Sequence, residues 1–116
     1  DPDEQQLESC IKLGVDCIEI HCGTYCRAFE RNEESCENQF LKIKDISRIA
    51  NQSGLEVHAG HGLNYDTSKT LSSINDIEEL NIGFFIISEA LFKGLGSAIS
   101  DLKKSMYQGR YPGDKK

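Results

Sequence analysis

Apolar residues along the chain switch between two periods. From Glu4 to Leu13 they fall at Leu7, Cys10 and Ile11, a helical spacing that stops at Gly14. Val15 to Ile20 is short and β-branched and predicts a strand, and Cys22-Gly23-Thr24 marks the loop after it. Thr24 to Ser35 is polar without a clear period, so a long loop or a short irregular helix is expected there. Phe40, Ile43, Ile46 and Ala50 then line one face of a helix running to about Gln52, which Ser53-Gly54 ends. Leu55 to Ala59 reads as a second strand, and Gly60-His61-Gly62 opens the next loop. A helix from about Ser68 to Asn75 turns Leu71 and Ile74 inward, and Glu79 to Ile82 is a third strand, broken at Gly83. Phe84 to Phe92 is helical in length and composition, and Leu95, Ala98, Ile99, Leu102 and Met106 mark a last amphipathic helix.

The order helix, strand, helix, strand, helix, strand, helix is an α/β pattern. Each strand–helix–strand passage is long enough for a right-handed parallel crossover. Three parallel strands leave edges exposed, which suggests that part of a larger sheet is missing. The 116 residues suffice for one domain. A closed eight-fold β/α barrel needs about 250. We therefore expect residues 1–107 to form part of such a barrel and 108–116, with Gly, Pro and Lys, to be a flexible tail. The start Asp1-Pro2-Asp3, without Met, suggests a processed chain, an excised domain or an incomplete sequence.

Composition narrows the partners. A net charge of −6 with scattered basic residues argues against nucleic acid, whose backbone wants a concentrated basic face. No apolar run approaches the roughly 20 residues needed to cross a bilayer. The first ten residues are acidic and polar and do not read as a signal peptide. Five cysteines are an odd number at low density, so reduced thiols in a cytosolic protein are expected.

Three segments can carry chemistry. In Cys17-Ile18-Glu19-Ile20-His21, alternation puts Cys17, Glu19 and His21 on one face. Glu19 is then either a solvated residue on an edge strand or a carboxylate facing a ligand in a barrel lumen. In His58-Ala59-Gly60-His61-Gly62, glycines bracket a histidine just past a strand end. Either His61 is incidental in a surface turn, or it exchanges protons with a ligand that the glycines admit. In Asn81-Ile82-Gly83-Phe84-Phe85, a strand runs through Gly83 into a helix. That junction is either an ordinary tight turn or a phosphate site built from helix N-terminal N–H groups. Zinc on His21, Cys22 and Cys26 with His58 or His61 lacks a second ligand pair at proper spacing. Cys22, at a strand end, is the one plausible nucleophilic thiol.

Together, Ile18-Glu19-Ile20-His21 with Gly23, Ala59-Gly60-His61-Gly62-Leu63 and Glu79-Leu80-Asn81-Ile82-Gly83 resemble the pyridoxine 5'-phosphate synthase family. The resemblance runs from about Asp1 to Met106 and covers only the later part of the family's barrel, roughly strands six to eight with their helices. It implies condensation and ring closure of 1-deoxy-D-xylulose 5-phosphate with 3-amino-2-oxopropyl phosphate to pyridoxine 5'-phosphate, phosphate and water. It further implies no metal or redox cofactor, small phosphorylated substrates, a cytoplasmic location and a homo-oligomer at full length. By the same resemblance His61 is the proton donor, Glu19 the carboxylate that stabilises the transition state, and Gly62, Gly83 and Phe84 are ligand contacts. Some relatives have histidine where this chain has Phe84, a change that is harmless if the contact is the backbone N–H. The family's early histidine, glutamate and substrate-binding arginines are not supplied, since Arg27, Arg31 and Arg48 are not at matching positions. The chain alone is thus expected to lack full activity. A binding module for a phosphorylated ligand and another β/α-barrel lyase or isomerase of sugar phosphates are the alternatives.

Overall fold

Three short strands, β1 (Cys17–His21), β2 (Glu56–Gly60) and β3 (Ile77–Asn81), make one parallel sheet in the order β1-β2-β3. The computed structural model describes residues 1–114. Helix α1 (Glu4–Leu13) precedes β1, α2 (Gly23–Glu30) and α3 (Cys36–Gln52) connect β1 to β2, α4 (Tyr65–Ser72) connects β2 to β3, and α5 (Phe84–Lys93) and α6 (Leu95–Arg110) follow. The strands are parallel, so His21, Gly60 and Asn81 end together on one side of the sheet.

One face of the sheet is covered and the other is open. Ile20, Val57, Ala59 and Ile77 point into a core shared with Ile43, Ile46 and Ala50 of α3 and Leu71 of α4. Val57, Ile43, Leu71 and Ile77 are essentially fully buried, and each such side chain contributes about 1.5–3 kcal/mol of hydrophobic stabilisation. The opposite face carries Cys17, Glu19, His21, Glu56, His58, Glu79 and Asn81, none of them buried. The register produces this polar face: His58 pairs with Glu79, and an irregularity beside Val57 and His58 leaves Glu78 as an extra residue in β3. Ile77 and Leu80 thereby both reach the apolar side. Exposed apolar residues concentrate on the outermost elements: Ile11 and Leu13 on α1, Phe84, Ile87, Leu91 and Phe92 on α5, Leu95 and Ile99 on α6.

Several boundaries differ from the sequence expectation. Of the two expectations for Thr24 to Ser35, a long loop or a short irregular helix, residues 23–30 form a helix, and a regular one with Tyr25, Cys26 and Ala28 buried. The helix starts at Gly23, a residue that on its own signals a break, and so hides its period. Helix α4 begins at Tyr65 because Asn64 caps it: the Asn64 side chain accepts from the Thr67 N–H (2.9 Å) and the Asn64 N–H donates to Thr67 Oγ1 (2.8 Å). The helix α6 continues through residues 108–110, which the sequence assigned to the tail. Gly109 is buried against α4, where an added Cβ would collide with the Lys69 carbonyl. Arg110 donates to the carbonyls of Asn75 (3.1 Å) and Ile77 (2.5 Å). Of the proposed tail, Lys115 and Lys116 lie outside the described residues.

Candidate active site

His61 stands directly after β2 with φ +79°, and Gly62 follows with φ +81°. A left-handed conformation costs a non-glycine residue roughly 1–2 kcal/mol, so this turn is held by its surroundings. Three contacts hold it. The Cys26 thiol donates to the His61 carbonyl (3.6 Å). Gly62 lies against the same cysteine, so that an added Cβ would sit 3.2 Å from Cys26 Cβ. Beyond it, Leu63 is buried and Asn64 caps α4.

Glu19 projects from the middle of β1 onto the open face, and its side chain lies across Gly60. An added Cβ at Gly60 would run into Glu19 Oε1 and come within 3.1 Å of the Asn81 carbonyl. The carboxylate is fastened there by Asn81, whose Nδ2 donates to Glu19 Oε2 (3.3 Å). Gly60 is thus a gap on the middle strand through which side chains from both outer strands meet.

Gly83 precedes the first residue of α5, and no side chain caps that helix end. The N–H groups of its first turn are therefore available to an anion. Phe84, the first residue of that helix, is 90% exposed. Behind the junction, Tyr65 meets Phe85 edge-on (4.8 Å between centroids) and donates to Glu89 Oε2 (3.2 Å). Lys93 lies over the Tyr65 ring and pairs with Asp101 (2.9 Å), which ties α5 to α4 and α6.

These pieces surround one cleft of about 490 Å³, lined by Glu30, His61 to Asn64, Asn81, Ile82 and Gly83 to Phe85. Four of the five residues singled out in the sequence, His61, Gly62, Gly83 and Phe84, line it directly. Glu19 stands beside it, joined to the lining through Asn81. A larger, shallow depression of about 770 Å³ lies along the outer side of α3, away from all of these residues. It holds no histidine or cysteine.

The sequence considered His21 and Cys26 only as zinc ligands with Cys22, and it assigned Asn81 no contact of its own. His21 stacks on His61, with ring centroids 4.2 Å apart and planes 26° from parallel. Burial, and after it the charge of His61, pushes the His21 pKa down. His58, lower on the open face, is pushed up, first by its bond to Glu56 (3.0 Å). The strand register was the missing signal, since it sets His21 beside Gly60 and Gly60 beside Asn81.

Cys22 does not fit a nucleophile. It is fully buried, its thiol donates to the Ile20 carbonyl (3.5 Å), and burial pushes its pKa up to about 12. Cys26 is likewise raised to about 11, chiefly by burial, and stays a protonated donor. Among the described residues no group of three or more His, Cys, Asp or Glu is placed to hold a metal ion. Nor is any helix there long and apolar enough to cross a membrane.

The family model described as "Pyridoxal phosphate biosynthesis protein PdxJ" matches residues 1–108. Among curated proteins, the pyridoxine 5'-phosphate synthase of Ruegeria pomeroyi is 39% identical over 109 residues, covering 93% of this chain and 44% of the relative. Those of Caulobacter vibrioides and Rhodopseudomonas palustris are 41% and 43% identical, covering 95% and 93% of this chain and 44% and 43% of the relatives. The chain spans less than half the length of the curated relatives it matches. With 108 of its residues matched by one model, the chain belongs to the PdxJ family of pyridoxal phosphate biosynthesis proteins.

Proposed function

We propose that this chain is the later part of an eight-stranded β/α barrel, strands six to eight, and that the complete protein is a pyridoxine 5'-phosphate synthase. The observation that carries the reading is the gathering of His61, Gly62, Gly83 and Phe84 around one cleft, with Glu19 fastened at its edge. The relatives named above carry that activity in their names.

The roles follow from the chemistry of ring closure. Expelling phosphate or water from a carbon next to an imine needs a group that protonates the leaving oxygen. In this reading His61 Nδ1 or Nε2 delivers that proton. Glu19 supplies negative charge opposite the developing iminium, held in place by Asn81. The N–H groups of Phe84 and its neighbours hold a substrate phosphate at the start of α5. The substrates are small and phosphorylated, which suits a cytoplasmic enzyme. The exposed apolar side of α5 is consistent with the family resemblance to a homo-oligomer at full length.

The test uses the full-length polypeptide that carries these residues. Mixed with 1-deoxy-D-xylulose 5-phosphate and 3-amino-2-oxopropyl phosphate, it should release pyridoxine 5'-phosphate. His61→Ala should lower kcat by about 10²–10⁴-fold, the usual contribution of a general acid. Ligand binding without turnover by the complete protein would replace the synthase reading with that of a binding module.

A further inference from the structure

The His61 backbone is pinned, but among the described residues its imidazole has no hydrogen-bond partner. Its ring contact is with His21. The turn fixes where the side chain begins, and leaves the ring's direction to that one neighbour.

His21 is well placed to fix it. The Gly23 N–H donates to His21 Nδ1 (3.3 Å), which anchors the His21 ring to the first residue of α2. An amide proton pointing at Nδ1 requires that nitrogen to be bare, so neutral His21 carries its proton on Nε2. Gly23 also makes the space for the pair. A Cβ there would lie 2.6 Å from His21 Cε1 and 2.9 Å from His61 Cδ2, so both rings occupy the volume that any other residue would fill.

We infer that His21 is a positioning residue: anchored to the Gly23 amide, it holds the His61 ring face to face at the cleft. The inference rests on the reading of His61 as proton donor. The groups facing His21 are His61 from the β2–α4 turn, Arg27 from α2 and Glu19 from β1. Burial, His61 and Arg27 each disfavour charge on His21 more strongly than Glu19 favours it. Charge on His21 is thus disfavoured, and His21 steadies its neighbour without repelling it. Removing His21 frees the donor ring to rotate. The loss should fall on kcat, because orientation matters when the proton moves, while substrate contacts made elsewhere stay as they are.

Three variants of the full-length protein separate the possibilities. His21→Ala removes ring and anchor, His21→Gln keeps an acceptor without the ring, and His21→Phe keeps a flat ring without the acceptor. We expect His21→Ala and His21→Gln to lose about 10- to 100-fold in kcat with KM changed less than about twofold. His21→Phe should recover most of that loss. Proton NMR gives a readout independent of turnover: the ring-current shift of the His61 ring protons should disappear in His21→Gln and persist in His21→Phe. Unchanged kcat in His21→Gln, or a His21→Phe no better than His21→Gln, overturns the inference even if His21→Ala does not fold. If the unsubstituted protein forms no product, the synthase reading fails. A His61 ring-current shift that survives His21→Gln would then independently overturn the positioning role.

Discussion

Replacing Gly109 with alanine puts two local effects in opposition. An added Cβ would sit 2.8 Å from the Lys69 carbonyl carbon and 3.1 Å from Lys69 Cα, with the carbonyl oxygen nearer still. Ordinary carbon contacts begin at about 3.5 Å, so α4 and α6 must part by roughly 0.7 Å or more. The obstacle is backbone, not the movable end of a side chain, and overpacking of this kind costs about 1–3 kcal/mol. Separation also strains the Arg110 bonds to Asn75 and Ile77. Against this, alanine gains up to about 1 kcal/mol of helix propensity over glycine. Because the clash is with backbone, the cost falls in the upper part of the overpacking range, about 2–3 kcal/mol, and the net expectation is a loss of about 1–2 kcal/mol. For a domain of this size that is a fall in Tm of about 5–10 °C. Gly96 in the same helix has nothing within 4 Å of its added Cβ, so Gly96→Ala is the matched control and should be neutral or stabilising. Thermal and urea unfolding followed by circular dichroism read both. A Gly109→Ala protein that melts at or above the parent would refute the close approach of the two helices.

The Glu56–His58 pair gives a signed pH dependence. Because Glu56 raises the folded pKa of His58, the pair's contribution is fully present below the unfolded value of about 6.5 and is lost as pH rises through the raised folded value. Urea midpoints of the parent and Glu56→Gln should differ at pH 5.5 and converge by pH 8.5, and a gap of constant size would refute the pairing. Cys22 and Cys26, raised to about 12 and 11 by burial, should resist iodoacetamide at pH 8 in the native protein and react in urea, with mass spectrometry locating the label. Modification of Cys22 as fast as exposed Cys17 would refute its burial. Phe84→Ala should leave affinity for a phosphorylated substrate within about twofold, as measured by calorimetry, because the proposed contact is the N–H; a tenfold loss would give the role to the ring.

The β/α alternation was legible because each buried stripe repeats within its own element: Phe40, Ile43, Ile46 and Ala50 on α3, or Val57 and Ala59 on β2. Helix α2 was obscured because its opening glycine reads locally as a break, yet that glycine is fixed by the two imidazoles above it. His61 and Gly83 could be picked out because His61 follows β2 directly and Gly83 stands between β3 and the start of α5. The rest of the site depends on relations between strands. That Glu19 meets Asn81 across Gly60 requires the register of all three strands and the extra residue Glu78, and single-strand alternation contains neither. The end of α6 was misplaced for a similar reason: Gly109 reads as a terminator until the Lys69 carbonyl is seen against it.

The uncovered side of the sheet sets a condition on any surface that closes over it. It bears the carboxylates of Glu19, Glu56 and Glu79, with His58 between two of them. Drying such a face under aliphatic side chains would strand negative charge at several kcal/mol per ion. A closing surface must therefore arrive with cations or hydrogen-bond donors of its own. It must bring more of them still if the enclosed space is to admit a phosphate, whose charge has the same sign as those three glutamates. The sheet thus acts as one half of an electrostatic mould, and its complement has to be basic.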